Sequence, residues 1–199
     1  MEFDDVIARR KMVRDFTPQP VDAAALDRIL QAAVRAPSAG YTQGWGFLVL
    51  VGRPDTERFW NTSFGERSRS GFRWTGLFNA PVIVIPCSNE SAYLDRYAEP
   101  DKGWTDRDPN RWPVPYWHID TGFAAMQLQL AVVNEGLGAL FFGLFGDVEA
   151  VKSEFGIPSA FTPIGAIAIG HPTGADEPSR SRNRGRKPDN DVIHFGTWD

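Results

Sequence analysis

The chain has 199 residues, about one domain on the usual scale of roughly 100–200 residues per domain. With 42% hydrophobic and 13% aromatic residues it can build a core, which excludes a disordered segment. A net charge of −4 gives no global attraction for nucleic acid or anionic membranes, no apolar run approaches the roughly 20 residues that span a bilayer, and the single cysteine, Cys87, excludes an internal disulfide framework.

The opening "MEFDDVIARR" is acidic and lacks the apolar stretch of a signal peptide, so a cytoplasmic location is expected. Phe3 to about Lys11 reads as a short helix, with Asp4 and Asp5 at its start and Arg9, Arg10 and Lys11 at its end, as a helix dipole favours. Asp22 is a plausible N-cap for the next helix, in which Leu26, Ile29, Leu30 and Ala33 form one apolar stripe. Pro37 ends that helix, because the residue before a proline is pushed out of the helical region. Phe47 to Val51 and Val82 to Ile85 read as buried strands, with Cys87 a buried structural thiol at the end of the second. Ile119, Phe123, Met126, Leu130, Val133 and Leu137 recur at helical spacing, and so wide a stripe predicts a helix at the centre of the core. Ala139 to Phe145 and Ile164 to Ile169 read as two more strands, separated by a short helix capped by Asp147 and ended by Gly156 and Pro158. Helices separate most strands, so the class is α/β or α+β, a sheet covered by helices. Two segments stand outside this frame: an aromatic stretch from Tyr93 to Trp117 and a polar tail from Pro172 to Lys187. Structureless loops longer than about 12–15 residues tend to be functional or disordered.

No dinucleotide fingerprint, P-loop, paired-cysteine motif or metalloprotease helix occurs, and with only three scattered histidines no metal site is expected. Cations gather at the two ends of the chain: Arg9, Arg10, Lys11 and Arg14 in "RRKMVRDF", and Arg180, Arg182, Arg184, Arg186 and Lys187 in "RSRNRGRK". Such runs serve as a solvated surface, as a nucleic-acid arm, or as a clamp in which guanidinium forks hold one phosphate monoester. "RAPSAGYTQGW", Arg35 to Trp45, raises a related question. Its small residues suit an ordinary helix–strand connection, and equally a backbone brought close to something flat or charged.

Together these stretches resemble the nitroreductase family of FMN-dependent oxidoreductases. That family shows RRSxRxF, then APSxxNxQPW and a hydrophobic strand. This chain has "RKMVRDF", "APSAGYTQGW" and "FLVLV", followed by a long central helix, "GLGALFFGLF", "PIGAIAIGHP" and an Arg-rich segment before "KP". The resemblance implies an α+β fold, a mixed sheet between helices, as a single FMN-binding domain over 1–199 and an intertwined homodimer built around the Ile119–Leu137 helix. It places Arg10, Lys11 and Met12 at the phosphate and ribityl chain of FMN, and Arg14 at the pyrimidine edge, where a cation stabilises negative charge gathered by the reduced ring. Pro37, Ser38 and Ala39 would lie against the flavin of the partner subunit, with Gln43 matching a Gln of that loop. Gly143 and Leu144 would present backbone to the flavin, and Arg184 and Arg186 would complete the phosphate site.

Three residues depart from the pattern: Met12 replaces Ser, Tyr41 replaces Asn, and Gly44 replaces Pro. Tyr41 is expected to form part of the substrate wall. The segment at about 90–117 is expected to act as a lid whose Trp112 and Tyr116 select planar substrates. A surface excursion with its rings tucked against the domain is the competing reading. The implied activity is NAD(P)H-linked hydride transfer, by a ping-pong scheme, to a nitroaromatic, quinone or activated alkene. The rivals are an FMN-fragmenting enzyme of the 5,6-dimethylbenzimidazole synthase type and a flavin-sequestering protein.

Overall fold

The computed structural model describes residues 1–144, 146–175 and 179–198, apart from the side chains of 65–68, 70 and 182. Phe145, the last residue of an expected strand, and the Arg182 side chain therefore lie outside the described residues. Six helices and five strands follow one another as α1 (Phe3–Arg9), α2 (Ala23–Ala33), β1 (Trp45–Val51), α3 (Arg53–Ser70), β2 (Val82–Ser88), α4 (Glu90–Ala98), α5 (Tyr116–Asn134), β3 (Gly138–Phe142), α6 (Val148–Phe155), β4 (Thr162–Pro163) and β5 (Ala166–Gly170), counted among the described residues.

The sheet runs β1-β2-β5-β3, and each of these pairs is antiparallel. Its parallel element is a single bridge, Met12 to Ala139, which lays the N-terminal segment along the outer edge of β3. The two-residue β4 continues β5 along β2, so that β2 is paired on both sides over most of its length. Buried on both faces, β2 carries an unbroken apolar run, as an interior strand must.

Alternation along the strands divides the core in two. Val82 and Val84 of β2 and Ile167 and Ile169 of β5 face α2 and α5, where they meet Leu26, Ile29, Ala125, Leu128 and Val132. Ile83 and Ile85 of β2 and Ala166 and Ala168 of β5 face Phe59 and Trp60 of α3 and Val151 of α6. The result is three layers, helices–sheet–helices, the α+β arrangement expected.

Local chemistry sets the ends of the helices. Asp22, Asn89 and Asp147 accept the backbone N–H three residues on, from Ala25, Ala92 and Ala150, satisfying first-turn donors of α2, α4 and α6. Gly156 closes α6 in the left-handed conformation (φ +64°), and Ile157 N–H returns to Lys152 O at 2.9 Å. Two helices were not anticipated in the sequence. α3 is mostly charged and polar, and only Thr56, Phe59 and Trp60 are fully buried among its described side chains. α4 begins just before the aromatic stretch, takes in its first six residues, Tyr93–Ala98, and buries Tyr93.

Candidate functional site

The cationic N-terminal run leaves α1 at Arg10 and continues extended along β3. Val13 N–H donates to Ala139 O at 2.9 Å, Thr17 N–H to His171 O at 2.9 Å, and Thr173 N–H to Asp15 O at 3.2 Å. The run is thus gripped between β3 and the segment that follows β5. Lys11 and Arg9 border a hollow of about 140 Å³ floored by Val13, Gly138 and Pro172. No side chain fits at Gly138, because a Cβ there would stand 2.8 Å from Val13 Cγ2. Met12, which departs from the family's Ser, packs its side chain against the core on the α3 side. Arg14 donates from Nη1 to Met12 O at 3.2 Å and lies over the Trp74 ring at 5.1 Å, with Arg73 also over that ring at 5.3 Å. Arg73 and Trp74 were not singled out in the sequence, where they sit in an unpatterned stretch.

The 37–44 loop is held by a different scaffold, α4 and the start of α5. Ala39 N–H donates to Asp120 Oδ2 at 2.8 Å, and the Tyr93 hydroxyl donates to the same oxygen at 2.8 Å. Arg96 Nε donates to Gly40 O at 2.9 Å, and Asn89 N–H to Gly44 O at 2.8 Å. Within the loop, Gln43 N–H donates to Ser38 Oγ at 2.9 Å and Tyr41 N–H to Ser38 O at 3.0 Å. Burial and the Asp120 carboxylate push the Tyr93 phenol far above its ordinary range, so it stays a donor. Tyr41 is exposed at the loop's turn. Pro37, at the other end, opens onto an apolar groove of about 690 Å³ lined by Phe3, Phe123, Met126 and Leu130.

Gly143 and Leu144 follow β3, half-buried, and Leu144 packs against the same core as Met12. Arg184 ends a short 3-10 turn beginning at Arg180, and Arg184 and Arg186 are exposed. Trp112 and Tyr116 stand in an aromatic nest. Trp112 lies 4.5 Å from Tyr97, 5.6 Å from Trp104, 5.6 Å from Tyr116 and 5.9 Å from Tyr93, ring centre to ring centre. The nest abuts the loop directly: a Cβ at Gly40 would fall 2.8 Å from Tyr97 Cε2, and one at Gly44 would fall 2.4 Å from Tyr93 Cε2.

The model of the nitroreductase family matches residues 7–171. This chain belongs to the nitroreductase family. It is 26% identical over 204 residues to a protein of Methanothermobacter thermautotrophicus provisionally named NADH dehydrogenase/NAD(P)H nitroreductase, a match covering 100% of this chain and 88% of that one. It is 28% identical over 192 residues to an NADH dehydrogenase of Thermus thermophilus, covering 86% and 87% of the two chains. A crystal structure from Exiguobacterium sibiricum 255-15, solved in complex with FMN, shares the fold with a TM-score of 0.73 at 20% identity, over 98% of this chain and 97% of that one. As a nitroreductase-family member the chain is an oxidoreductase of an FMN-dependent family, in the α+β fold of that family.

Within that nitroreductase frame, Asp120 is the residue that sequence reasoning missed. It is buried in the second turn of the largely apolar α5 and ties two separate elements together. A carboxylate inside the stripe "HIDTGFAAM" was the available signal, since a buried charge requires partners. A second polar contact sits at the start of α5. Ser88 Oγ lies in hydrogen-bond reach of Thr162 O at 3.2 Å and of His118 Nδ1 at 2.8 Å, and burial lowers the His118 pKa. Burial also pushes the Cys87 thiol up to about 11, in keeping with a structural thiol.

Proposed function

We propose that this nitroreductase-family chain binds FMN and works as an NAD(P)H-linked oxidoreductase, passing a hydride by a ping-pong scheme to a planar acceptor such as a nitroaromatic, quinone or activated alkene. The observation that carries the reading is the Arg10–Arg14 run. Three cations are presented within five residues, and the backbone beneath them is pinned to β3 by the Met12–Ala139 bridge. A pinned backbone leaves less ordering to be done when Arg10 and Lys11 close on a phosphate monoester and Arg14 meets the ring.

The donor set fits FMN. Arg10 and Lys11 would hold the phosphate with Arg184 and Arg186 from the tail, and Arg14 would stand at the pyrimidine edge. Pro37, Ser38, Ala39 and Gln43 would form the wall of the ring site, with the backbone of Gly143 and Leu144 facing it. Met12 offers no hydroxyl to the ribityl chain, and its side chain anchors the segment instead. When bound, FMN supplies the two-electron chemistry of hydride transfer. The chain's own part is to bind, orient and wall off the ring, and the nicotinamide and the acceptor take turns in one pocket. Tyr41 would contribute to that pocket directly. Trp112 and Tyr116 would act on it through the loop they support.

The same reading makes the assembly a homodimer. Phe123 (49% exposed) and Met126 (39% exposed) turn outward from α5 into the groove that Pro37 borders. The terminal segment also leaves Phe195 and Trp198 exposed. A second copy of the chain would cover this apolar face and bring Pro37–Ala39 to its own flavin. No described helix is long and apolar enough to cross a membrane.

The test is direct. Purified protein should be yellow, release FMN on denaturation, and lose its 450-nm colour on anaerobic addition of NADH or NADPH, with colour restored by menadione or nitrofurazone. A colourless protein that takes up no added FMN refutes the reading. A coloured protein that neither nicotinamide bleaches refutes its NAD(P)H-linked part.

A further inference from the structure

The 37–44 loop carries an unusual backbone. Gly40 (φ +61°), Tyr41 (φ +55°) and Gln43 (φ +52°) all lie in the left-handed region. Glycine enters that region freely, whereas Tyr and Gln do not, and such a course persists only where the surroundings over-determine it. Tyr41 is 77% exposed, so packing of its own ring does not hold it. The constraint comes from the backbone bonds on either side.

Those bonds converge from two helices. Asp120, 3% exposed in α5, accepts Ala39 N–H and the Tyr93 hydroxyl on one oxygen, each at 2.8 Å. Tyr93 from α4 thereby fixes the carboxylate that fixes the loop. Arg96, one turn further along α4, donates from Nε to Gly40 O at 2.9 Å. Its other two nitrogens are forked onto Asp101, at 2.7 and 2.8 Å. A planar guanidinium gripped at its far end has its Nε direction set, so the segment that follows α4 aims the donor that meets Gly40. The loop's two faces are thus tied down just before and within its left-handed turn.

We propose that Asp120, Tyr93 and Arg96 are positioning residues. They hold the 37–44 loop in its left-handed course and so set where Tyr41 and Gln43 stand as the wall seen by the electron acceptor. The consequence for the acceptor rests on the FMN-oxidoreductase reading. The order of the loop does not. None of the three touches the reacting atoms on this account, so their loss should alter how the acceptor is seated more than how fast a seated acceptor reacts.

The test uses the full chain carrying Asp120→Asn, Tyr93→Phe or Arg96→Gln. Hydrogen exchange is followed by peptide mass spectrometry, and steady-state kinetics are measured with menadione. Exchange across 37–44 should quicken at least tenfold in each variant while β2 and β5 stay protected. The KM for menadione should rise about tenfold, with kcat within threefold of wild type. If exchange across the loop is unchanged in Tyr93→Phe and Arg96→Gln, the proposal is overturned, even where Asp120→Asn fails to fold. If exchange quickens while KM holds, the cluster is only structural and the positioning role is overturned. If the wild-type chain takes up no FMN, the functional reading falls and takes the acceptor role with it. The exchange rates still decide whether these residues hold the loop.

Discussion

Adding one methyl group at Gly44 should test the junction between the loop and the aromatic nest. Gly44 is outside the left-handed region, so an alanine there meets no backbone penalty and only space decides the outcome. The new Cβ would lie 2.4 Å from Tyr93 Cε2, 2.9 Å from Tyr93 Cδ2 and 3.2 Å from Asn89 O. Carbon atoms rest about 3.5–4.0 Å apart, so ring and loop must part by about 1 Å. The ring cannot swing away cheaply. Tyr93 is fully buried, packs edge-on against Trp112, and is tied through its hydroxyl to Asp120. Overpacking of this kind costs about 1–3 kcal/mol. In a chain of this length each kcal/mol lowers the Tm by roughly 2–4 °C, so Gly44→Ala should melt about 2–12 °C below wild type. Calorimetric melts of Gly44→Ala, Tyr93→Ala and the double variant form a cycle. Since truncating Tyr93 removes the clash, the methyl should become nearly harmless in that background, with a coupling of roughly 0.5–3 kcal/mol. A Gly44→Ala Tm within 1 °C of wild type, or the same loss in both backgrounds, refutes the reasoning.

If the proposed phosphate clamp includes the tail, Arg186→Ala should weaken FMN binding by about 1.5–3 kcal/mol, roughly 10- to 150-fold in Kd, as read by fluorescence titration. An unchanged Kd would exclude the tail from the site. Met126→Glu sets a charge in the apolar groove and should convert a dimer to monomer in sedimentation velocity at micromolar concentration; a persistent dimer places the interface elsewhere. Burial holds the His118 pKa below the unfolded value of about 6.5, so the folded chain binds fewer protons there, and the stability present above pH 6.5 is lost as pH falls through the folded pKa. The urea midpoint should therefore drop between pH 7.5 and 5, and drop less in His118→Asn; equal slopes would remove His118 as a cause.

What was legible in the sequence was periodic or punctuated. α2 and α6 declare themselves by a cap, an apolar stripe or a terminal glycine, and β2 by its unbroken apolar run. α5 forms as a helix, but the stripe expected to face the core is largely its outer face. Phe123 and Met126 are exposed, Leu137 lies past the helix end, and Ala125, Leu128 and Val132 are the residues buried against the sheet. The cationic run and the small loop were legible as a set, because their order along the chain matches a family. α3 was not, since its buried contribution is a few large residues in a mostly charged segment and no stripe forms. α4 was hidden for a different reason: its aromatic residues read as part of a loop that prolines and charges dominate. Asp120 was invisible because its role depends on two partners, 81 and 27 residues away in the chain. Hydrogen bonds across such spans leave no period behind them.

Tyr41, Gly44 and the aromatic segment all depart from the family's pattern, and the structure makes them one change. The family's Asn in the loop is a residue that tolerates the left-handed region, and here Tyr41 occupies that region at φ +55°. A tyrosine stays there because Asp120 and Arg96 fix the backbone before it. The family's Pro carries a Cβ, and any Cβ at position 44 meets the Tyr93 ring at 2.4 Å. Tyr93 cannot give way, since Trp112 and Trp117 flank it. Glycine at 44 is therefore the complement of the aromatic nest, and the nest is the complement of a loop that displays tyrosine. On this account the 90–117 segment shapes the acceptor pocket from behind the loop, by fixing which backbone conformation the loop can hold. Restoring the family's Pro at 44 alone should then damage the protein, whereas Tyr41→Asn relieves backbone strain and should leave stability intact. Only the exchange of loop and nest together should recover both stability and a family-like acceptor range.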